Sequence, residues 1–249
     1  MTRCIRRILL AVLLLYGAGV SAQGHIIEVA ATDSTPAMNI YHPAVACPEG
    51  GYPVLYLLHG IRGTHESWEE NGHVCETVDS LVRINRITPP LIVMPYCFTR
   101  GRETQINRIF TRYDDLRRGR FEERFPALMA YVEQMFPIAQ DSARRFIAGL
   151  SSGARQALRL ADTARCSVVG LMSPVLVHRE YPDPDSAAPF YWIMVGSSDA
   201  FRPEAKSFAR YLDKHALPYH MAYAEGKHTW DVWRTALPEF LVYILPPQD

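Results

Sequence analysis

Five short apolar runs, each ending in turn-forming residues, constrain the fold of this chain more than any other feature. They are PVLYLLHG (53–60), PLIVMPYC (90–97), RFIAGLS (145–151), SVVGLMSP (167–174) and FYWIMVGSSD (190–199). Runs of this length with few polar interruptions fit strands buried on both faces, because a half-exposed strand alternates apolar and polar residues. A sixth run, YHMAYAEG (219–226), alternates more, and residues 25–41 also read as β-structure. Helical patterns fall between the runs. Phe125, Leu128, Met129, Val132 and Met135 follow the i, i+3, i+4, i+7 spacing of one helical face. Residues 77–84, 154–164 and 204–212 read as further helices. Strands alternating with helices imply parallel strands joined by right-handed crossovers, which makes this an α/β chain with a mostly parallel central sheet and helices on both faces. Ligands of such sheets sit beyond the carboxyl ends of the strands, so the chemistry is expected there.

The N-terminus is different in kind. Arg3, Arg6 and Arg7 precede ILLAVLLLYGAGV (8–20), and Val20 and Ala22 flank Ser21 as small residues suited to cleavage. This is the order of a secretory signal peptide over 1–22, leaving one domain over 23–249 in the periplasm or outside the cell. The apolar stretch is shorter than the roughly 20 residues of a membrane span, and no stable membrane insertion is expected. Lys plus Arg number 26 and Asp plus Glu 26, a balance that advertises no nucleic acid partner. The mixed-sign run RYDDLRRGRFEER (112–124) reads as a solvated loop and helix start. Cys47, Cys75, Cys97 and Cys166 remain after the leader, and an oxidising compartment predicts one or two disulfides among them, with three full pairings open. Their spacing fits no zinc site, and no metal or cofactor is expected.

Three strand ends carry reactive side chains. Ser151 lies in Gly149-Leu150-Ser151-Ser152-Gly153, the G-x-S-x-G turn that lifts a serine hydroxyl between a strand and a helix. The pentapeptide alone is short enough to arise by chance, and a serine in this place is often only a helix cap. Asp199 ends the next-but-one run, and His228 follows the last strand in GKHTW. The chain order Ser, Asp, His is that of α/β-hydrolase triads, in which the serine attacks, the histidine moves its proton, and the carboxylate fixes the imidazole. A tetrahedral oxyanion also needs fixed donors. The backbone N–H of Ile61, in the LLHGIRG turn, and that of Ser152 are the candidates, with His59 read as a residue that holds the turn.

The blocks YPVLYLLHGIRGTHESW, PPLIVMPY, RRFIAGLSSGARQAL, GSSDAF and GKHTWDVWRTALPEFL resemble the α/β-hydrolase esterase family that includes feruloyl esterases, enterochelin esterases, S-formylglutathione hydrolases and mycolyltransferases. The resemblance runs from about Tyr52 to Leu245. Where that family often reads G-x-S-M-G-G, Ser152 and Ala154 replace the methionine and second glycine, and no reacting group is lost.

The resemblance implies acyl transfer from an ester to water by an exported serine carboxylesterase. An acylated carbohydrate of acetyl or feruloyl type, as a small molecule or an oligosaccharide, is the expected substrate. The alternatives are an acyltransferase or thioesterase of the same family and a hydrolase fold kept only for binding. Trp68, Trp230 and Arg62, beside the two turns, are candidate substrate contacts, and the loop from Phe98 to Gly119 is a candidate border of the site. The oligomeric state is not legible.

Overall fold

A computed structural model describes residues 23–97, 121–183 and 188–247. The expected leader at 1–22 and the loop from Phe98 to Gly119 lie outside the described residues, as does most of the mixed-charge run. Each of the six apolar runs between 53 and 226 contains a strand. β1 (His25–Val29) and β2 (Met38–His42) form an antiparallel hairpin, and β3 (Val54–Leu58), β4 (Leu91–Pro95), β5 (Arg145–Leu150), β6 (Val168–Met172), β7 (Phe190–Gly196) and β8 (Tyr219–Ala224) follow. They join one sheet in the order β1-β2-β4-β3-β5-β6-β7-β8. The pairings from β4 to β8 are parallel, and β2 joins β4 antiparallel. The chain thus has the expected α/β architecture with a mostly parallel sheet, and the expected β-opening resolves into two strands turned at 30–37.

Strand periodicity decides the two cores. On β3, Val54, Tyr56 and Leu58 face one side while Leu55 and Leu57 face the other, and all five are fully buried. The first side is covered by α3 (Phe121–Met135), α4 (Ser152–Ala164) and α5 (Arg202–Lys214), which bring Phe125, Ala157 and Phe208. The second is covered by α2 (Val74–Arg83) and α6 (Trp230–Ile244), with Val78, Leu237 and Phe240. A four-residue helix, α1 (Ser67–Glu70), follows β3. Each fully buried Leu, Ile or Phe contributes about 1.5–3 kcal/mol, so helices on both faces are what allow a sheet with no polar face. Among the described residues no helix is long and apolar enough to cross a membrane.

The cysteine expectation is corrected: no disulfide joins Cys47, Cys75, Cys97 or Cys166 to one another. The sheet separates them. Cys97 follows the carboxyl end of β4, Cys166 precedes the amino end of β6, and Cys75 packs against the opposite core. Burial pushes the Cys75 and Cys166 thiols up to about 12, so both stay protonated and unreactive.

Candidate active site

Ser151 sits between β5 and α4 at φ 55° and ψ −121°, a left-handed conformation that an L-residue adopts at a cost of about 1–3 kcal/mol. Close packing enforces it. A Cβ on Gly149 would lie 2.5 Å from the carbonyl carbon of Gly153, so only glycine lets the strand and helix meet at this angle. The Ser151 amide donates to the Met172 carbonyl (2.9 Å), and its carbonyl accepts from Val175 (3.3 Å), pinning the turn to the end of β6. The hydroxyl makes no capping bond to α4, which leaves it available for chemistry. The helix-cap reading of this serine therefore fails.

Two turns at the far end of the sheet approach Ser151 together. Ser197 donates to the Ala224 carbonyl (2.7 Å) and Ser198 to the Gly226 carbonyl (2.8 Å), stitching the exits of β7 and β8. A Cβ on Gly196 would meet the Gly226 carbonyl oxygen at 2.6 Å, so a side chain there would push the two turns apart. Asp199 and His228 stand on these turns. His228 Nδ1 lies 2.9 Å and 3.1 Å from the two Asp199 carboxylate oxygens, and His228 Nε2 lies 2.9 Å from Ser151 Oγ. With the carboxylate accepting at Nδ1, the imidazole carries its proton there and presents a bare Nε2 to the hydroxyl. Asp199 is 5% exposed and Ser151 6%, whereas the His228 side chain is 25% exposed. The carboxylate is screened from water while the imidazole meets the solvent side. The three predicted residues are brought together, in hydrogen-bonding order.

Sequence reasoning missed what holds them. The Phe201 amide donates to Asp199 Oδ1 (2.8 Å), and the Phe201 ring packs against His228 at 4.9 Å. Trp233, in the first turn of α6, stands edge-to-face with His228 at 5.1 Å. The i+2 amide after an aspartate is a standard local acceptor pairing that the sequence offered. The Trp233 contact had no local signal.

The oxyanion candidates differ in kind. The Ser152 N–H opens α4, where the first amides have no partner one turn back and the helix dipole favours negative charge. Ile61 lies in the turn after β3, and that turn touches Ser151: a Cβ on Gly60 would be 3.3 Å from the Ser151 Cβ. Trp68 is corrected. It is 1% exposed, its indole N–H donates to the Leu58 carbonyl (3.1 Å), and it packs edge-to-face on Trp230 at 5.3 Å. It is a core residue that supports the turn. Trp230 is half-buried between Trp68 and Trp233, and Arg62 is exposed at φ 63°.

The model of the Esterase family matches residues 30–197, a stretch that includes Ser151 and ends two residues before Asp199. An endo-1,4-β-xylanase/feruloyl esterase of Xylanibacter ruminicola is 27% identical over 182 residues, 70% of this chain, and the chain spans 24% of that relative's length. Among solved structures, a ferulic acid esterase of the fungus Anaeromyces mucronatus is similar with a TM-score of 0.74 at 18% identity, over 89% of this chain and 90% of that one. An S-formylglutathione hydrolase of Staphylococcus aureus is similar with a TM-score of 0.67 at 17% identity, over 90% and 98%. These structures carry the fold, and the family model carries the class. The chain belongs to the Esterase family and is built on an α/β-hydrolase sheet.

Proposed function

We propose that this chain is an exported carboxylesterase that removes an acyl group, acetyl or feruloyl in type, from a carbohydrate ester by way of an acyl-enzyme on Ser151. The observation that carries the reading is the position of His228, within 2.9 Å of both the Ser151 hydroxyl and the Asp199 carboxylate. In the first half-reaction Ser151 Oγ attacks the acyl carbon while its proton passes to His228 Nε2. The carbonyl oxygen becomes an oxyanion facing the Ile61 and Ser152 amides. Collapse breaks the bond to the alcohol, which leaves with the proton from Nε2. Water then repeats the sequence, His228 takes its proton, and the acid departs as Ser151 regains its hydrogen. Asp199 stays ionised throughout and stabilises the imidazolium.

The substrate class draws on the xylanase/feruloyl esterase relative and on the Anaeromyces esterase, whose structure was also solved in complex with ferulic acid. Trp230 and Arg62, at the solvent side of the two turns, are the proposed contacts to the alcohol. The chain organisation that goes with this reading is a leader over 1–22 and one catalytic domain over 23–249.

A fluorophosphonate is expected to label wild-type protein at Ser151, and Ser151→Ala is expected to abolish both labelling and hydrolysis of aryl acetates. Assays on acetylated xylan oligosaccharides and methyl ferulate then choose the acyl group. An unlabelled, folded wild-type protein that cleaves no activated ester overturns the proposal. Sequencing the secreted product tests the leader, with a start at Gln23 expected.

A further inference from the structure

His59 is wholly buried at the exit of β3, outside the Ser151–His228–Asp199 chain, and both its ring nitrogens have partners. Nε2 lies 3.2 Å from the Cys97 amide, just past the end of β4, and Nδ1 lies 2.8 Å from the Gly60 carbonyl oxygen. A backbone amide can only donate, so Nε2 is the bare nitrogen and the proton resides on Nδ1. Nδ1–H therefore donates to Gly60. The same carbonyl accepts a second bond, from the Gly63 amide at 3.1 Å. Burial moves the imidazole down to about 4, which keeps it neutral and able to serve one donor and one acceptor at once.

The Gly60 carbonyl and the Ile61 N–H are the two ends of one peptide unit. No peptide bond among the described residues is cis, so these dipoles point in opposite directions. Fixing the oxygen by two donors fixes the hydrogen. Gly60 is also the residue of this turn that abuts Ser151, with Leu150 Cδ1 2.6 Å and Ser151 Cβ 3.3 Å from a Cβ built on it. We infer that His59 is a positioning residue for ester hydrolysis: by holding the Gly60 carbonyl it turns the Ile61 N–H away from the imidazole and onto the oxyanion. This rests on the proposal that Ile61 is an oxyanion donor. It adds that the donor is aimed by a neutral histidine bridging the ends of two neighbouring strands.

The two nitrogens can be tested apart, because an Asn amide reaches about where Nδ1 stands and a Gln amide about where Nε2 stands. The full chain carrying His59→Asn keeps a donor to Gly60, and kcat on an aryl acetate is expected to stay within about threefold of wild type. His59→Gln keeps a partner for Cys97 and leaves the Gly60 carbonyl held by the Gly63 amide alone. Its kcat is expected to fall at least about tenfold with KM within about twofold, since the donor acts on the transition state. A trifluoromethyl ketone, which becomes an oxyanion only when serine adds to it, is expected to bind His59→Gln more weakly by the same factor as kcat falls. A residue that merely fills space predicts equal losses in the two variants, following their thermal stability; equal kcat values, a loss in KM alone, or unchanged ketone binding overturn the inference. Nitrogen-15 NMR of wild-type protein adds a test that needs no variant: His59 is expected to carry its proton on Nδ1, and an Nε2–H tautomer overturns the inference even if the variants fail to fold. If wild-type Ser151 resists the fluorophosphonate, the ester-site reading falls instead; if Ser151 labels normally and His59→Gln is as active as His59→Asn, only the role of His59 falls.

Discussion

Gly153 lies flat against the main chain of His59: a Cβ on this glycine would collide with the His59 carbonyl oxygen and sit 2.7 Å from that of Leu58. The helix that begins beside Ser151 is therefore in backbone contact with the turn that holds Ile61, the other proposed oxyanion donor. Gly153→Ala is expected to drive the two apart. Overpacking against main chain costs about 1–3 kcal/mol, and denaturant unfolding should read a loss in that range. Activity should fall by more than stability accounts for, because a displacement of about 1 Å at an active site can cost about 100-fold. Retention of wild-type kcat in the folded variant would contradict the contact.

Asp199 accepts from the Phe201 amide as well as facing His228, so Asp199→Asn keeps its place in the turn while its carboxylate is lost. An amide that turns its NH₂ to Nδ1 favours the wrong imidazole tautomer, with the proton on the nitrogen that must receive one from serine. A fall in kcat of about 10³–10⁴-fold is expected, with KM little changed and little loss of melting temperature. Steady-state kinetics beside a thermal melt check both parts.

Trp68 separates a ligand contact from a packing one. Its side chain is closed to solvent and bonded to Leu58, so Trp68→Ala is expected to destabilise the fold by about 3–5 kcal/mol. Trp230→Ala, at a half-exposed position, should cost less stability and raise KM for aromatic or sugar esters more. A reversed ranking in KM would return Trp68 to the substrate.

His59 makes stability depend on pH in a defined window. Burial, with a smaller push from His65, lowers it from its ordinary 6.5 to about 4, outweighing the bond to Gly60 that pulls upward. Between these values the unfolded chain binds the proton and the folded chain does not. Stability is therefore full above about pH 6.5 and falls as pH drops toward 4, by about 3 kcal/mol at 1.36 kcal/mol per unit. Urea titrations of wild type and His59→Asn at pH 7, 5.5 and 4.5 should show this component only in wild type.

Much of this arrangement was legible in the chain. The apolar runs located the strands because a strand covered on both faces leaves no polar positions, and strand ends then located Ser151, Asp199 and His228. Helix α6 was not among the helices read from periodicity. Trp68 and the cysteines were misread for a different reason. Whether a tryptophan lines a pocket or underpins a turn, and whether two thiols lie on the same side of a sheet, depends on packing between segments far apart in sequence. Trp233 and Phe201 flank His228 by the same kind of encounter.

Among the described residues β8 has only one neighbouring strand, and His228 hangs four residues beyond its last residue, Ala224. Outer strands open at lower free energy than inner ones. Ser151 is anchored mid-sheet, whereas His228, its proposed proton acceptor, depends on the seam that unzips first. On gentle warming, turnover should fade while most of the molecule stays intact, and cooling should restore it.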